Sequence, residues 1–576
     1  MQKFDSDFSD FNSIQIDDFN KEEIIFKLNE LKDKISSSSS EEECVKSIRE
    51  YFKLSDTIAT IRSVIYIRHS QDVSDEKYTK LNDYLDENYP FINKTENDVL
   101  TAIYNSPFKE GLEKEFSPLF FKQIELSLKT ISDEVLPMLQ EENRLISQYI
   151  ELKGKAKVEY KGELYSLAQI AKFTSSPDRK IREETTRKSV SFYDENDEKI
   201  GEIFSSMIKV RNEIALKLGY EDFVQLGYDR MGRLDWTYKD AREYRNKVFK
   251  YIVPLSNEIF NKQKDRLGYG EDTKFFDYNI FYKTGNPTPK YDADTLVRKA
   301  EEMYEKMSPV LGKYFSFMVQ HNCMDLIARP NKVGGGFMDY LPMLKTSFIF
   351  ANFNSTPDDI DTLTHEFGHS IQGFLAGERI DIPSYRSPSL ECCEMHSMSM
   401  EYLTYPFMNM FFEEEADKYR YFHLASAITF IPYGCIIDAF QEYCYQHPYL
   451  NHQQRKAYFR SLEKKFLPHL DYEGFPAFES GAYFERQSHI FENPFYYLDY
   501  TIATIVALDF FKESMEDYSK TLDKYINFCY LGGKYPFREL LKEAGINNPM
   551  DNDTLKDVSQ AIYEYLKTFD VSSLDK

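Results

Sequence analysis

Residues 355–377 read STPDDIDTLTHEFGHSIQGFLAG, and the reading of this stretch organises everything around it. Ile360, Leu363, Phe367, Ile371 and Phe374 recur every three or four positions, the period of one buried helical face. Thr356 stands where an N-cap is expected and Pro357 at the first helical position. Asp358 and Asp359 sit at the positive end of the helix dipole, and Gly377 is placed as the stop. His365-Glu366-Phe367-Gly368-His369 therefore lies inside a helix. Residues i and i+4 share a face, so both imidazoles can reach one ion, with Glu366 projecting beside them. Gly368 costs a helix on the order of 1 kcal/mol relative to Ala, a cost that makes sense if another element packs closely there.

This is the HExxH arrangement of a zinc peptidase, in which the Glu acts on a water bound to the ion. A catalytic zinc takes three protein ligands and keeps one position open. The third is sought in SPSLECCEMHSMSME, residues 387–401, read as a second helix capped by Ser387 and started by Pro388. Glu391, Glu394 and Glu401 fall on roughly one face among Cys, Met and Leu. Three carboxylates along a partly buried stripe repel unless a cation neutralises them. On spacing alone any of the three is a candidate ligand, and His396 competes with them.

The chain has 576 residues, 71 basic and 95 acidic side chains, and a net charge of −24. So acidic a chain repels phosphate backbones, which argues against nucleic acid as a partner. The 42% hydrophobic fraction supports a large core, and Gly (23) and Pro (22) are few, which favours long helices over a turn-rich β fold. The 43 Tyr and 46 Phe are expected mostly in the core. No run of 18 or more apolar residues suggests a membrane span. The acidic N-terminus lacks the features of a secretory signal. Seven cysteines without a CxxC pair fit a reducing, cytoplasmic setting.

Helical periodicity covers Lys21–Ile35, Glu41–Ile67 and Phe121–Leu152, with Ser36–Ser40 as a loop ending in an N-cap. Val158–Leu164 alternates like a small hairpin. A boundary near residue 195 divides an N-terminal helical lobe, 1–195, from a lobe 196–576 that carries the HEFGH helix. At Asn331–Phe353 the character changes: a glycine triplet, Gly334–Gly336, precedes SFIFANF (Ser347–Phe353), which is β-branched and aromatic and reads as a strand. As an edge strand it would pair with an extended peptide. That makes Phe350 and Ala351 candidate substrate contacts, while Gly335 and Gly336 would let loop backbone approach the substrate.

Three segments carry a family resemblance: FIFANFNSTPDDIDTLTHEFGHSIQGFLAG, ECCEMHSMSMEYL and HIFENPFYYLDYTIA (His489–Ala503). They resemble the M3, or thimet oligopeptidase, family of zinc metallopeptidases, in its oligoendopeptidase F and Pz-peptidase branch. The resemblance implies a third zinc ligand 29 positions after the first His, which selects Glu394, and gives Glu391 the place of a carboxylate that orients a ligand His. Gln372 stands where other branches carry a further His. After His489, the resemblance implies that this His and the tyrosines that follow donate hydrogen bonds to substrate and to the developing oxyanion. Tyr497 and Tyr500 are favoured for the oxyanion and Tyr496 for substrate binding.

The expectation is thus a mainly α fold: two helical lobes enclosing a deep substrate channel, with a small β-sheet beside the HExxH helix. The expected activity is internal cleavage of short, unstructured peptides, with one Zn2+ per chain held by His365, His369 and Glu394 and with Glu366 as general base. No nucleic acid or membrane partner is expected, and the oligomeric state is left open. Rival readings are a zinc carboxypeptidase of the M32 type and a non-enzymatic, metal-stabilised peptide-binding protein.

Overall fold

A computed structural model describes Phe8 and residues 10–576. Among the described residues, β structure is limited to a hairpin, Val158–Tyr160 with Glu163–Tyr165, and one three-stranded sheet. The remaining regular structure is helical, as the low Gly and Pro content implies. Helices Lys21–Ser36 and Glu41–Gln71 form where the periodicity places them, and Ser40 Oγ accepts the Glu43 N–H at 3.3 Å. The stretch expected as one helix from Phe121 to Leu152 is two, Pro118–Lys129 and Leu136–Gly154. Pro137 is the reason: in the first turn its missing N–H is harmless, whereas mid-helix it would delete a hydrogen bond and clash with the preceding turn. One helical stretch, Asn409–Gln446, is long and apolar enough by length and composition to cross a membrane, yet most of it is buried inside the structure.

The chain packs into two compact units. One gathers the chain up to Leu128, Pro289–Phe411 and Glu513–Ile546; the other gathers Lys129–Thr288, Phe412–Lys512 and Asn547–Lys576. These units differ from the division at 195, a residue that lies inside the continuous helix Arg179–Lys217.

In the first unit, the sheet runs Met324–Ile327, Thr346–Phe353, Phe337–Leu341, with the first pair parallel and the second antiparallel. This overturns the edge-strand expectation for SFIFANF. The strand is central, both its flanks are paired, and Phe350 and Ala351 are fully buried. A strand so apolar on both faces belongs in the middle of a covered sheet. Phe350 pairs with Phe337, their rings stacked 4.7 Å apart. The outer positions go to Met324–Ile327 and to Phe337–Leu341, the latter following directly on Gly336.

Against this sheet lies the helix Asp358–Arg379. Its apolar stripe is buried as the spacing predicts: Phe367 meets Tyr304 at 4.1 Å and Phe315 at 5.1 Å, and Phe374 stacks on Tyr314 at 4.0 Å. Its ends differ from expectation. Thr356 makes no cap; instead the Asp359 carboxylate accepts from the N–H groups of Asn354 (2.9 Å) and Ser355 (2.8 Å), tying the incoming loop to the first turn. Gly377 does not stop the helix, which runs to Arg379. A Cβ there would stand 2.0 Å from the Tyr340 hydroxyl, and one at Gly373 would stand 3.1 Å from the same ring. Both glycines therefore make room for Tyr340 of the outer strand.

The second helix spans Leu390–Leu403 and begins two residues later than expected, with Ser389 rather than Ser387 at its N-cap. It crosses the first at Gly368, where a Cβ would meet Ser397 Cα at 2.6 Å and the His396 carbonyl oxygen at 2.8 Å. Backbone touches backbone, so no side chain there can yield. Gly368→Ala is expected to destabilise the chain by about 1–3 kcal/mol, the usual cost of overpacking, despite its better helix propensity. Urea unfolding measures it, and unchanged stability would contradict so close a crossing.

Candidate metal centre

The crossing at Gly368 brings three donors together. His365 and His369, one turn apart, project from one face of their helix, and Glu394 faces them from the other. Glu394 Oε2 lies 3.3 Å from His365 Nε2 and 3.6 Å from His369 Nε2. One donor atom from each residue lies within 4.8 Å of the others. Ser397 donates to Glu394 Oε2 at 3.1 Å and steadies that carboxylate. Two imidazole nitrogens and one carboxylate oxygen, all convergent, fit a catalytic zinc.

Glu401 supplies the orientation. Its Oε1 lies 2.7 Å from His365 Nδ1, which holds that nitrogen as the N–H and turns Nε2 toward the shared point. Glu391, on the same helix, accepts the Ser389 hydroxyl on its Oε1 at 2.9 Å. The signal for Glu401 was its distance of two helical turns from Glu394, which repeats the same face. His396 is a packing residue. It is fully buried, stacked on Phe528 at 3.9 Å, with Nδ1 bonded to the Cys392 carbonyl at 2.7 Å.

Glu366 lies on the same helix and is 8% exposed. Burial lifts its pKa to about 7; the carboxylates of Glu394 and Glu401 add to that push and His365 opposes it. Gly336 stands beside it: a Cβ there would be 3.0 Å from Thr362 Cγ2, 3.4 Å from the Phe350 carbonyl oxygen and 3.7 Å from Glu366 Oε1. Gly335 has φ +96, a conformation suited to glycine. Its carbonyl accepts from the Asn352 amide at 2.8 Å.

The second unit holds the other predicted group. His489, Tyr496, Tyr497 and Tyr500 form one half-buried cluster, with His489 ring centroids 5.9, 5.0 and 5.8 Å from the three tyrosines in turn. Gln487, which sequence reasoning missed, sets the imidazole: its Nε2 lies 2.7 Å from His489 Nδ1, while its Oε1 accepts from the Tyr433 hydroxyl at 3.2 Å. The amide must therefore donate to Nδ1, which leaves the proton on Nε2. The segment is anchored from behind. Buried Arg211 donates to Glu142 (2.6 Å) and to the carbonyls of Ile490 (3.3 Å) and Phe491 (2.5 Å). Arg233 holds the Phe495 carbonyl at 2.9 Å.

A second group of ligand types, Asp197, His452 and Glu485, also clusters in this unit. Its cation is already supplied by the chain: Lys456 Nζ lies 2.7 Å from both Asp197 oxygens. It is an ion network that braces the segment leading to His489.

Residues 11–131 match the peptidase M3 N-terminal domain and residues 172–559 match peptidase family M3. A solved structure of Pz peptidase A with an inhibitor is 38% identical, with a TM-score of 0.92, covering 97% of this chain and 99% of that one. Oligoendopeptidase F homologs of Borreliella burgdorferi and Mycoplasma genitalium are each 22% identical, over 405 and 416 residues, or 66% and 68% of this chain. The matched region spans 65% and 66% of those curated relatives' own length.

Two outcomes follow from the geometry. Glu401→Gln is expected to weaken metal binding about 10–100-fold, measured by competition with a chromogenic chelator; unaltered affinity would remove Glu401 from the centre. The second concerns pH. Burial opposes charge on His365, but Glu394 and Glu401 outweigh it and lift its pKa well above the ordinary 6.5. In the metal-free chain that contribution to stability is full below pH 6.5 and fades as pH climbs through the folded value. Metal affinity runs the other way, because the ion takes an unprotonated imidazole. Urea melts across pH, with and without chelator, should show the two opposite slopes; parallel slopes would refute the His365 linkage.

Proposed function

This chain belongs to peptidase family M3, and on that premise we propose that it is a zinc-dependent endopeptidase cleaving internal bonds of short, unstructured oligopeptides. The observation that carries the reading is the convergence of His365 Nε2, His369 Nε2 and Glu394 Oε2, with Glu366 on the next helical position. Zinc held by these three would polarise the scissile carbonyl and acidify a bound water.

The chain's own residues do the rest. Glu401 keeps His365 in the ligating tautomer. Glu366, with a pKa near 7 in the metal-free chain, is suited to take a proton from the attacking water and return it to the leaving amine. Gly336, without a side chain, leaves the approach to Glu366 open. The outer strand Phe337–Leu341, rather than SFIFANF, is the strand whose position suits an extended peptide. We assign to Nε2–H of His489 and to the hydroxyls of Tyr497 and Tyr500 the role of donors to the peptide and to the oxyanion, with Tyr496 contacting substrate. Burial pushes the Tyr497 pKa up, so its hydroxyl keeps its proton at neutral pH. The seven free cysteines support a reducing, cytoplasmic setting.

Glu366→Gln should retain one zinc per chain and lose turnover of a quenched peptide, whereas Glu394→Ala should lose the zinc itself. Elemental analysis beside the peptide assay separates the two, and an active Glu366→Gln chain would end the base assignment. Tyr500→Phe should lower kcat about 10²–10³-fold, the usual cost of one oxyanion donor. Mass spectrometry of products from a mixed peptide library tests internal cleavage; stepwise release of C-terminal residues would replace the endopeptidase reading with a carboxypeptidase one.

A further inference from the structure

The second unit contains a cavity of about 250 Å³ whose walls include Tyr193, Phe275, Tyr433, Phe478, Tyr483 and Arg486. Aromatic rings alternate in this wall with threonine, serine, asparagine and aliphatic side chains. Tyr193, Phe275 and Phe478 are buried, while Tyr433 and Tyr483 are half-buried and Arg486 is solvent-accessible. The Arg486 guanidinium lies 4.8 Å from the Tyr483 ring centroid and 5.7 Å from that of Phe478. Both rings lie within cation–π range of the guanidinium.

Arg486 carries an unmatched charge. Arg182, Arg211, Arg233 and Arg245 of this unit pair with Asp277, Glu142, Asp499 and Asp438, while Arg266 and Arg455 donate to carbonyl or hydroxyl oxygens. Among the described residues no carboxylate forms an ion pair with Arg486. The adjacent Glu485 is turned toward His452, at 3.2 Å. In a chain with 24 more acidic than basic groups, a cation in a cavity faced by phenols and no carboxylate has the chemistry of a carboxylate receptor. A planar guanidinium takes a carboxylate through two parallel hydrogen bonds, and phenol hydroxyls can add to them.

The cavity also adjoins the group that the proposed function assigns to substrate. Tyr433 stands between the two: its ring lies 6.0 Å from Tyr483 on the cavity side and 5.8 Å from Tyr497 on the other. Its hydroxyl donates to Gln487, the residue that sets His489. Arg486 and His489 are three positions apart on a segment braced by Arg211.

Resting on the peptidase reading above, we propose that this cavity is an anion subsite in which Arg486, flanked by Tyr483 and Tyr193, binds a carboxylate of the peptide. The carboxylate is either the C-terminal one or an Asp or Glu side chain, and the chain thereby prefers peptides that present an acidic group there.

The test uses the full-length, zinc-loaded chain and four matched quenched peptides: free acid against C-terminal amide, and internal Glu against Gln. The native chain should favour one anionic member by about 10-fold or more in kcat/KM, mainly through KM, as expected for a charge-assisted pair. Whichever pair discriminates identifies the source of the carboxylate. Arg486→Gln should collapse that ratio toward one, and Arg486→Lys should keep part of it. Equal kcat/KM for both pairs in the native chain overturns the proposal, as does an Arg486→Gln chain that loses acid and neutral peptides alike. Hydrolysis of the neutral peptides reads the peptidase function separately. Binding of the same peptides to Glu366→Gln, followed by fluorescence anisotropy, reads the subsite without any turnover. If Arg486→Gln does not fold, the native ratios and Arg486→Lys still decide.

Discussion

The contact on which the metal centre depends is the crossing of two helix backbones at Gly368. Two histidines one turn apart are common on helices and bind nothing by themselves. They become a centre because Ser397 and His396 of the neighbouring helix press against Gly368, which puts Glu394, two to three residues earlier, level with both imidazoles. The same approach places Glu401, two turns after Glu394, against the far nitrogen of His365. A single methyl group at Gly368 would shift all of these distances together, since ligand, partner carboxylate and helix crossing are one rigid arrangement.

What could be read from the sequence was whatever repeats within a helix. The apolar stripe of the HEFGH helix, the shared face of His365 and His369, and the buried character of the Glu394 stripe all follow from a 3.6-residue period. The choice among three glutamates came from the family pattern, because spacing along one helix does not say what stands opposite. Long-range partners were not legible. SFIFANF has the composition of a strand, but whether it is central or at an edge depends on Met324–Ile327 and Phe337–Leu341 pairing with it. Phe350 and Ala351 were misjudged for that reason. Gly377 looked like a helix stop because glycine serves both as terminator and as clearance; only Tyr340, 37 positions earlier in the chain, decides between them. Gln487 carried no signal, since an amide acquires its role from the ring it meets.

The net charge has a structural counterpart in the second unit. Four buried arginines there, Arg182, Arg211, Arg233 and Arg245, are matched by carboxylates, and Lys456 neutralises Asp197 in the cluster with His452 and Glu485. Internal cations thus absorb acidic groups that would destabilise the interior if left alone. The charge of −24 is then mainly a property of the outer surface, where it resists association with other polyanions.

The amide of Gln487 decides which nitrogen of His489 is able to donate. A histidine that donates because it is protonated switches off near neutrality. His489 instead accepts the Gln487 amide N–H on Nδ1, which keeps the ring proton on Nε2. Its capacity to donate is therefore built into a tautomer and needs no charge.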